Sequence, residues 1–203
     1  TPGAITYQIN SYGFRSDEFV NNDSSMIALG CSFTLGTGLP VDKIWPTLVG
    51  KALDLQVCNL AWGGNSADTC FRLAEYWIPA LNPKLVCMLT PPATRVELLL
   101  DGTSWSKSEV FLPESKSAFF SPTDTYLKHW FINDENARLN SIKNKLAIQK
   151  ICEQFNIPFI VYDSINEMSK SREEIGYARD YMHAGPVGHR ILADKIIRDY
   201  CGR

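Results

Sequence analysis

The stretch Met26-Ile-Ala-Leu-Gly-Cys-Ser-Phe-Thr-Leu-Gly-Thr-Gly-Leu-Pro40 decides the fold that we predict for this chain. It begins with an apolar run over 26–29 and ends in glycines and a proline. This pattern is typical of a buried β-strand that stops abruptly and presents Ser32 at its carboxyl end. In open α/β sheets, ligands bind beyond the carboxyl ends of the strands. Ser32 is therefore a candidate nucleophile, provided that a histidine can reach it.

Strand-like and helix-like patterns alternate along the rest of the chain. We predict core strands over 25–31, 55–61, 84–89 and 157–162, and helices over 42–53, 66–81, 139–155 and 186–200. Ser66 is the expected N-cap of the second helix. Such alternation implies a parallel sheet with helices on both faces, and right-handed crossovers would give a doubly wound, flavodoxin-like, three-layer α/β/α fold.

The length of the chain, 203 residues, suits one domain with a substantial core. We expect a single domain over 1–203, in which 1–23 forms a lead-in along the domain edge. The stretch 91–124 breaks the alternation and is too long for an ordinary connection. We interpret it as an insertion near the pocket that shapes substrate choice.

Composition excludes several classes of protein. Hydrophobic residues make up 45% of the chain, which argues against disorder. The net charge is −2 without a basic run, so a nucleic-acid partner is not expected. No stretch approaches the roughly 20 apolar residues that span a membrane. The sequence has no His-Glu-x-x-His motif, Cys/His cluster or Gly-x-x-x-x-Gly-Lys loop, so we predict no metal and no cofactor.

Six cysteines are present, and no two of them form a Cys-x-x-Cys pair. We interpret them as buried thiols of a reducing compartment rather than as disulfides. The first residues also show no charged-then-apolar signal pattern. Both features favour a cytoplasmic location.

A histidine suited to activate Ser32 occurs near the other end of the chain, in Ala178-Arg-Asp-Tyr-Met-His-Ala-Gly-Pro186. On a loop, Asp180 and His183 can point into one pocket, where the carboxylate orients the ring that deprotonates the serine. The other two histidines are weaker candidates, because His129 looks like a partly buried amphipathic residue and His189 lies on the closing helix. Asp163 is an alternative to Asp180 as the carboxylate that orients the histidine ring, but the spacing to His183 favours Asp180.

Together these segments resemble the SGNH (GDSL) hydrolase family over about 24–200 of the chain. Gly30-Cys31-Ser32 matches the first family block, with Cys31 in place of the usual aspartate, Gly64 matches the second, and Asp180 with His183 matches the last. The resemblance implies a serine esterase in which Ser32 attacks the carbonyl, His183 takes its proton and Asp180 holds the ring. It also implies that the N–H groups of Ser32 and Gly64 bind the oxyanion.

The third family block departs from the pattern, because its oxyanion-binding asparagine is missing. The predicted strand runs instead into Thr90-Pro-Pro-Ala-Thr-Arg-Val-Glu97. Either Thr90, Thr94 or Arg95 supplies a donor, or the oxyanion hole consists of backbone N–H groups alone. We favour Thr94 and Arg95, which follow the rigid Pro91-Pro92 bend. One lost donor can cost on the order of 100- to 1000-fold in turnover.

The leading functional hypothesis is a hydrolase that cleaves an ester, with a short acyl group on a carbohydrate or another alcohol as the expected substrate. An acyltransferase with the same triad is an alternative, because water and a second alcohol compete for one acyl-enzyme. A non-catalytic binding or structural protein that retains the fold is the other, supported by the missing asparagine.

Overall fold

The structure is a computed structural model that describes residues 4–21, 24–100, 104–109, 133–168, 174 and 176–202, with the backbone alone at 98–100 and 104–109. The strands are β1 Ser25–Leu29, β2 Gln56–Asn59, β3 Leu85–Thr90, β4 Arg95–Leu100, β5 Ser104–Glu109 and β6 Phe159–Asp163. The helices are α1 Ser32–Leu35, α2 Trp45–Leu53, α3 Ala67–Leu81, α4 Asp134–Gln154, α5 Ser164–Met168 and α6 Pro186–Cys201.

Four strands form a parallel sheet in the order β2-β1-β3-β6. Ala28 of β1 pairs with Asn59 on one side and with Cys87 on the other. The predicted doubly wound parallel fold is therefore confirmed. Because all four strands run in one direction, their carboxyl ends meet at a single edge. Ser32 and Thr90 both lie at this edge.

Alternate side chains of β1 point to opposite faces of the sheet and contribute to two hydrophobic cores. Met26 and Ala28 pack in the core that contains buried residues of α2 and α6. Ile27 and Leu29 pack in the core that contains buried residues of α3 and α4. The sheet is thus buried on both faces, which explains why its central strands are continuous apolar runs rather than alternating ones.

Two predicted helices have different bounds in the structure. The segment predicted over 42–53 is a short 3₁₀ turn, Val41–Lys43, followed by α2, because Ile44 is extended and Pro46 favours a new first turn. The helix predicted from 139 begins at Asp134, where the side chain of Asn133 accepts the N–H groups of Glu135 and Asn136. Its first turns are polar and lack the apolar periodicity from which the rest of the helix was predicted.

The predicted N-cap of α3 is confirmed. The hydroxyl of Ser66 accepts the N–H of Thr69 at 3.2 Å, and the Thr69 hydroxyl accepts the N–H of Ser66 at 3.4 Å. This reciprocal pair fixes the point at which the chain leaves β2 and enters α3.

Part of the stretch 91–124 forms an antiparallel hairpin of β4 and β5. This hairpin was not predicted, although Asp101-Gly102, a common hairpin turn, lies between its strands in the sequence. Residues 110–124 lie outside the described residues, as does His129. Whether the insertion shapes substrate choice stays a prediction.

The N-terminal segment 4–21 lies along β2, at the edge of the sheet. Ser16 donates to the carbonyl of Val57 at 2.6 Å, and the Gln56 side chain donates to the carbonyl of Glu18 at 2.9 Å. Phe19 packs edge-on against Trp77 of α3, with ring centres 5.0 Å apart. The segment therefore covers an edge that would otherwise present unpaired backbone groups.

All six cysteines lie within the described residues, and none forms a disulfide; five are buried and Cys201 is exposed. Burial raises the pKa of Cys58 and of Cys152 to about 12 and also raises that of Cys70. These three thiols stay protonated near neutral pH and are not nucleophiles. Within the described ranges, no helix combines the length and apolar character needed to cross a membrane.

Candidate active site

Ser32 is placed by a sharp turn between β1 and α1. Gly30 has a φ of +154°, and a Cβ there would lie 2.1 Å from the Thr34 hydroxyl and 3.0 Å from the Leu89 carbonyl, so only glycine fits. The chain turns at this point, and Ser32 becomes the first residue of α1. It is 9% exposed, so its neighbours cover it largely but not completely.

His183 lies between Ser32 and Asp180 and is hydrogen-bonded to both. Its Nε2 is 2.8 Å from Ser32 Oγ, and its Nδ1 bonds Oδ2 of Asp180. The ring of Phe33 meets the imidazole edge-on, with centres 5.1 Å apart. In this arrangement Nε2 can accept the serine proton while the carboxylate holds the opposite nitrogen as its protonated tautomer.

Hydrogen bonds within the loop 176–185 hold Asp180 and His183 in place. Its ends are joined by a hydrogen bond from the N–H of Gly185 to the carbonyl of Gly176, at 3.0 Å. Inside the loop, Oδ1 of Asp180 accepts the N–H groups of Met182 and His183, both at 3.1 Å. One carboxylate oxygen therefore shapes the loop, and the other orients the imidazole.

These contacts determine the ionisation of Asp180. Partial burial alone would raise its pKa, but the hydrogen bonds from the His183 N–H, the His183 ring and the Met182 N–H outweigh it and lower the pKa. Asp180 is therefore anionic at neutral pH. A fixed negative charge next to Nδ1 stabilises the imidazolium that forms when Nε2 takes a proton.

The competing candidates are used elsewhere. Asp163 ends β6, and its Oδ1 accepts the N–H groups of Ile165 and Asn166 at the start of α5. His189 is 1% exposed, and its Nδ1 accepts the N–H of Trp45 at 3.0 Å. This bond gives a partner to a backbone N–H in the first turn of α2. His189 therefore has a structural role.

The oxyanion donors expected from the backbone lie on two loops at the same edge of the sheet. Gly64 has a φ of +78° in the turn after β2. The side chain of the next residue, Asn65, donates to the carbonyl of Gly30 at 3.1 Å, which ties this turn to the end of β1. The side chain of Asn65 therefore fixes the Gly64 turn beside the Ser32 turn.

The residues that could replace the missing asparagine follow β3. Thr90 is 2% exposed, and its hydroxyl has no hydrogen-bond partner within the described residues. Thr94 and Arg95 are partly exposed, and the N–H of Arg95 bonds the carbonyl of Pro92 at 3.1 Å, which closes a turn around Thr94. Further along β4, Glu97 pairs with Arg72 through two hydrogen bonds of 2.8 and 3.0 Å.

Two supporting residues were missed by the sequence analysis. Arg15 and Asn59 are both 2% exposed, and both donate to backbone carbonyls of α1 or of the loop that follows it. Their partners are carbonyl oxygens, which every residue type carries, so no residue pattern marks them. Arg15 ends the segment Ile9-Asn-Ser-Tyr-Gly-Phe-Arg15 of the lead-in expected along the domain edge, but that expectation gave Arg15 no role at the site.

No group of three or more His, Cys, Asp or Glu side chains that could hold a metal ion occurs in the described part of the chain. The chemistry available at this edge of the sheet is that of a hydroxyl, an imidazole, a carboxylate and backbone N–H groups. These are the groups of nucleophilic acyl transfer.

Comparison with known proteins finds no matching family model and no matching curated protein. Solved structures do match. The psychrotrophic esterase EstA from Pseudoalteromonas sp. is 12% identical with a TM-score of 0.46, over 89% of this chain and 100% of that one. A putative lipolytic protein of the G-D-S-L family from Desulfitobacterium hafniense is 15% identical with a TM-score of 0.45, over 87% and 99%.

The lipase/acylhydrolase from Enterococcus faecalis is 17% identical with a TM-score of 0.43, over 88% of this chain and 96% of that one. The identities and TM-scores of these structures are too low to transfer an activity.

Proposed function

We propose that this protein is a serine hydrolase that cleaves a carboxylic ester. The observation that supports the proposal is the continuous chain of hydrogen bonds from Ser32 Oγ through His183 to Asp180, with 2.8 Å between Oγ and Nε2. This chain of hydrogen bonds lies at the carboxyl edge of a parallel sheet, and Ser32 is 9% exposed there.

The reaction follows from the roles of these groups. Ser32 Oγ forms a bond to the ester carbonyl carbon while its proton moves to Nε2 of His183. The carbonyl oxygen becomes an oxyanion, which the N–H groups of Ser32 and Gly64 stabilise. The bond to the leaving alcohol breaks as His183 returns the proton to it. Water then attacks the acyl-enzyme, again through His183, and releases the acid and Ser32.

The proposed substrate is a short acyl group on a carbohydrate or a similar alcohol. Two exposed aromatic side chains support an alcohol with a ring face. Trp62, which is 43% exposed, precedes the Gly64 turn, and Tyr181, which is 76% exposed, lies between Asp180 and His183 in the chain. Such side chains combine an apolar face with a polar tip and suit the faces of sugar rings.

A panel of p-nitrophenyl esters of increasing chain length, with acetylated monosaccharides beside it, tests the proposal. Wild type should cleave short esters, and Ser32→Ala should reduce turnover by at least about 1000-fold. Ser164→Ala is a matched control, because Ser164 also follows a parallel strand and opens a helix, but its buried hydroxyl has no hydrogen-bond partner in the described part. It should keep wild-type turnover.

Labelling with a fluorophosphonate, mapped by mass spectrometry, gives an independent readout. The label should appear on Ser32 and be absent from the Ser32→Ala variant. A wild type that cleaves no ester and takes no label would overturn the proposal in favour of a binding protein that retains the fold. Products formed with added methanol or glycerol would separate a hydrolase from an acyltransferase.

A further inference from the structure

Arg15 carries a guanidinium that is almost completely buried. It is 2% exposed, and within the described residues no carboxylate pairs with it. Nη1 donates to the carbonyls of Leu35 and Gly36 at 2.9 and 2.8 Å, and Nη2 donates to the carbonyl of Leu39 at 2.7 Å. The ring of Tyr7 lies under the cation, 4.0 Å from its carbon to the ring centre.

The carbonyls that Arg15 binds belong to the end of α1 and to the loop after it. This helix has only four residues and begins with Ser32, so it has too few internal hydrogen bonds to be stable alone. Asn59 donates to the carbonyl of Thr34 at 3.2 Å, and Arg15 satisfies those of Leu35 and Gly36. Side chains from elsewhere in the fold therefore hold the helix that carries the nucleophile.

The loop after α1 also contacts the loop that carries Asp180 and His183. The N–H of Gly38 donates to the hydroxyl of Tyr7 at 2.7 Å, and its carbonyl accepts the N–H of Arg179 at 3.1 Å. Arg15 and Tyr7 thus lie at the junction between the two loops. A shift of this junction would change the distance between Ser32 and His183.

We infer that Arg15 is a positioning residue that holds the Ser32 helix at hydrogen-bonding distance from His183, so that the N-terminal segment forms part of the active-site framework. The inference rests on the proposed function. A guanidinium is suited to the role because its planar fork of five N–H donors can bind three carbonyls at once, whereas a lysine ammonium is a compact point charge. Displacing reacting groups by about 1 Å can cost on the order of 100-fold in rate.

Kinetics of Arg15→Lys and Arg15→Ala on a cleaved p-nitrophenyl ester test the inference. We expect kcat to fall by about 10- to 100-fold while KM changes by less than about 3-fold, because the change affects alignment rather than substrate binding. The shape of the pH profile should be unchanged. Ile148→Ala is the control for general loss of stability, since Ile148 is fully buried in α4 away from this junction. It should retain kcat at a temperature where it is folded.

Chemical rescue separates positioning from folding. Arg15 lines a surface cavity of about 440 Å³, so removing its side chain leaves a space that solvent can enter. Millimolar guanidinium should restore part of kcat in Arg15→Ala and should do nothing for Ile148→Ala. Tyr7→Phe, which removes the acceptor of the Gly38 N–H, provides a second variant that keeps Arg15 and should lower kcat by a few-fold.

Hydrogen exchange gives a readout independent of activity. The amides of Gly36 and Thr37 both donate to the Ser32 carbonyl, at 2.9 and 3.1 Å. These amides should exchange faster in Arg15→Lys and Tyr7→Phe than in wild type. If wild type is active and the folded Arg15 and Tyr7 variants keep its kcat, the inference is wrong. If wild type is inactive but the amides exchange faster as expected, the proposed function fails and the positioning contact stands; unchanged exchange would overturn that contact too.

Discussion

Asp180 and Asp163 accept backbone hydrogen bonds in the same way, but among the described residues only Asp180 of the two contacts a histidine. In each case Oδ1 accepts the N–H groups two and three residues further along the chain, at 2.9 to 3.1 Å. The other oxygen of Asp180 bonds Nδ1 of His183. The two aspartates therefore share a local structural role, and one of them has a second role in orienting an imidazole.

This relationship makes Asp163→Asn a matched control for Asp180→Asn. An asparagine retains the side-chain oxygen that shapes either loop but lacks the negative charge. We expect Asp180→Asn to lower kcat by roughly 1000- to 10,000-fold, because the ring loses its correct tautomer and its stabilised charged form. Asp163→Asn should keep wild-type kcat. Equal activity of the two variants, measured on the same ester, would remove Asp180 from the mechanism.

Gly38 and Gly13 form a second matched pair. Both have left-handed backbones, with φ of +76° and +86°, so alanine should cost each about 1–2 kcal/mol of folding free energy. A Cβ at Gly38 would lie 3.0 Å from Ala178 Cβ, 3.2 Å from Arg179 N and 3.3 Å from Asp180 Cγ, whereas at Gly13 nothing lies within 4 Å.

Gly38→Ala should therefore lower kcat by about 10- to 100-fold through movement of the Asp180 loop. Gly13→Ala should lower the free energy of unfolding without a matching change in kcat. Urea unfolding and steady-state kinetics on both variants decide between these outcomes. A Gly38→Ala enzyme with wild-type kcat would show that the loop tolerates the contact.

The burial of His189 leads us to expect that the protein loses stability in mild acid. Burial first, and then the Coulombic effects of His183 and Arg15, lower the pKa of His189 from 6.5 to about 3. The unfolded chain binds a proton near pH 6.5, and the folded protein does not bind it until about pH 3. The stabilising contribution is therefore complete above 6.5 and is lost as the pH falls through this window, by up to about 1.4 kcal/mol per pH unit.

Wild type should accordingly lose about 2 kcal/mol of unfolding free energy through His189 between pH 7 and pH 5. His189→Asn keeps an acceptor for the Trp45 N–H but does not titrate, so its stability should vary less over the same range. Asp180 does not contribute to the change in stability between pH 7 and pH 5. Its pKa is lowered from 3.8, so its own stabilising contribution is lost only as the pH falls below about 3.8. Parallel pH slopes for wild type and variant, measured by urea unfolding, would refute the assignment.

The sequence was sufficient to predict the parallel sheet and the proximity of Ser32, Asp180 and His183. Apolar runs such as 26–29 mark central strands, and parallel strands bring their carboxyl ends to one edge, so a serine after the first strand can meet a loop near the end of the chain. The close spacing of Asp180 and His183 then places both on one short loop.

The contacts that support this arrangement could not be predicted in the same way. Arg15 binds backbone carbonyls about twenty residues away, and Asn65 binds the carbonyl of Gly30. A carbonyl acceptor exists at every position, so such contacts depend on the tertiary path of the chain and leave no spacing or periodicity in the sequence. The early start of α4 at Asp134 is different, because its polar first turns hid a helix that Asn133 caps.

The last prediction concerns the oxyanion donor that replaces the missing asparagine. The Thr90 hydroxyl is sealed from solvent, so a substrate oxygen could reach it only after a movement of the chain. Thr94 and Arg95 are partly exposed, and the turn closed between Pro92 and Arg95 gives them a fixed backbone. A preorganised hydroxyl or guanidinium in this position would stabilise the charge that develops on the carbonyl oxygen.

Thr94→Ala or Arg95→Ala should therefore lower kcat by about 10- to 100-fold and change KM much less, because the lost contact is strongest in the transition state. Thr47→Ala on α2 and Arg138→Ala on α4 are the corresponding controls, since Thr47 is a partly buried threonine of another helix and Arg138 pairs with Glu135 on the surface. Both controls should retain wild-type kinetics. If the Thr94 and Arg95 variants also retain them on a cleaved ester, the oxyanion hole consists of the backbone N–H groups of Ser32 and Gly64 alone.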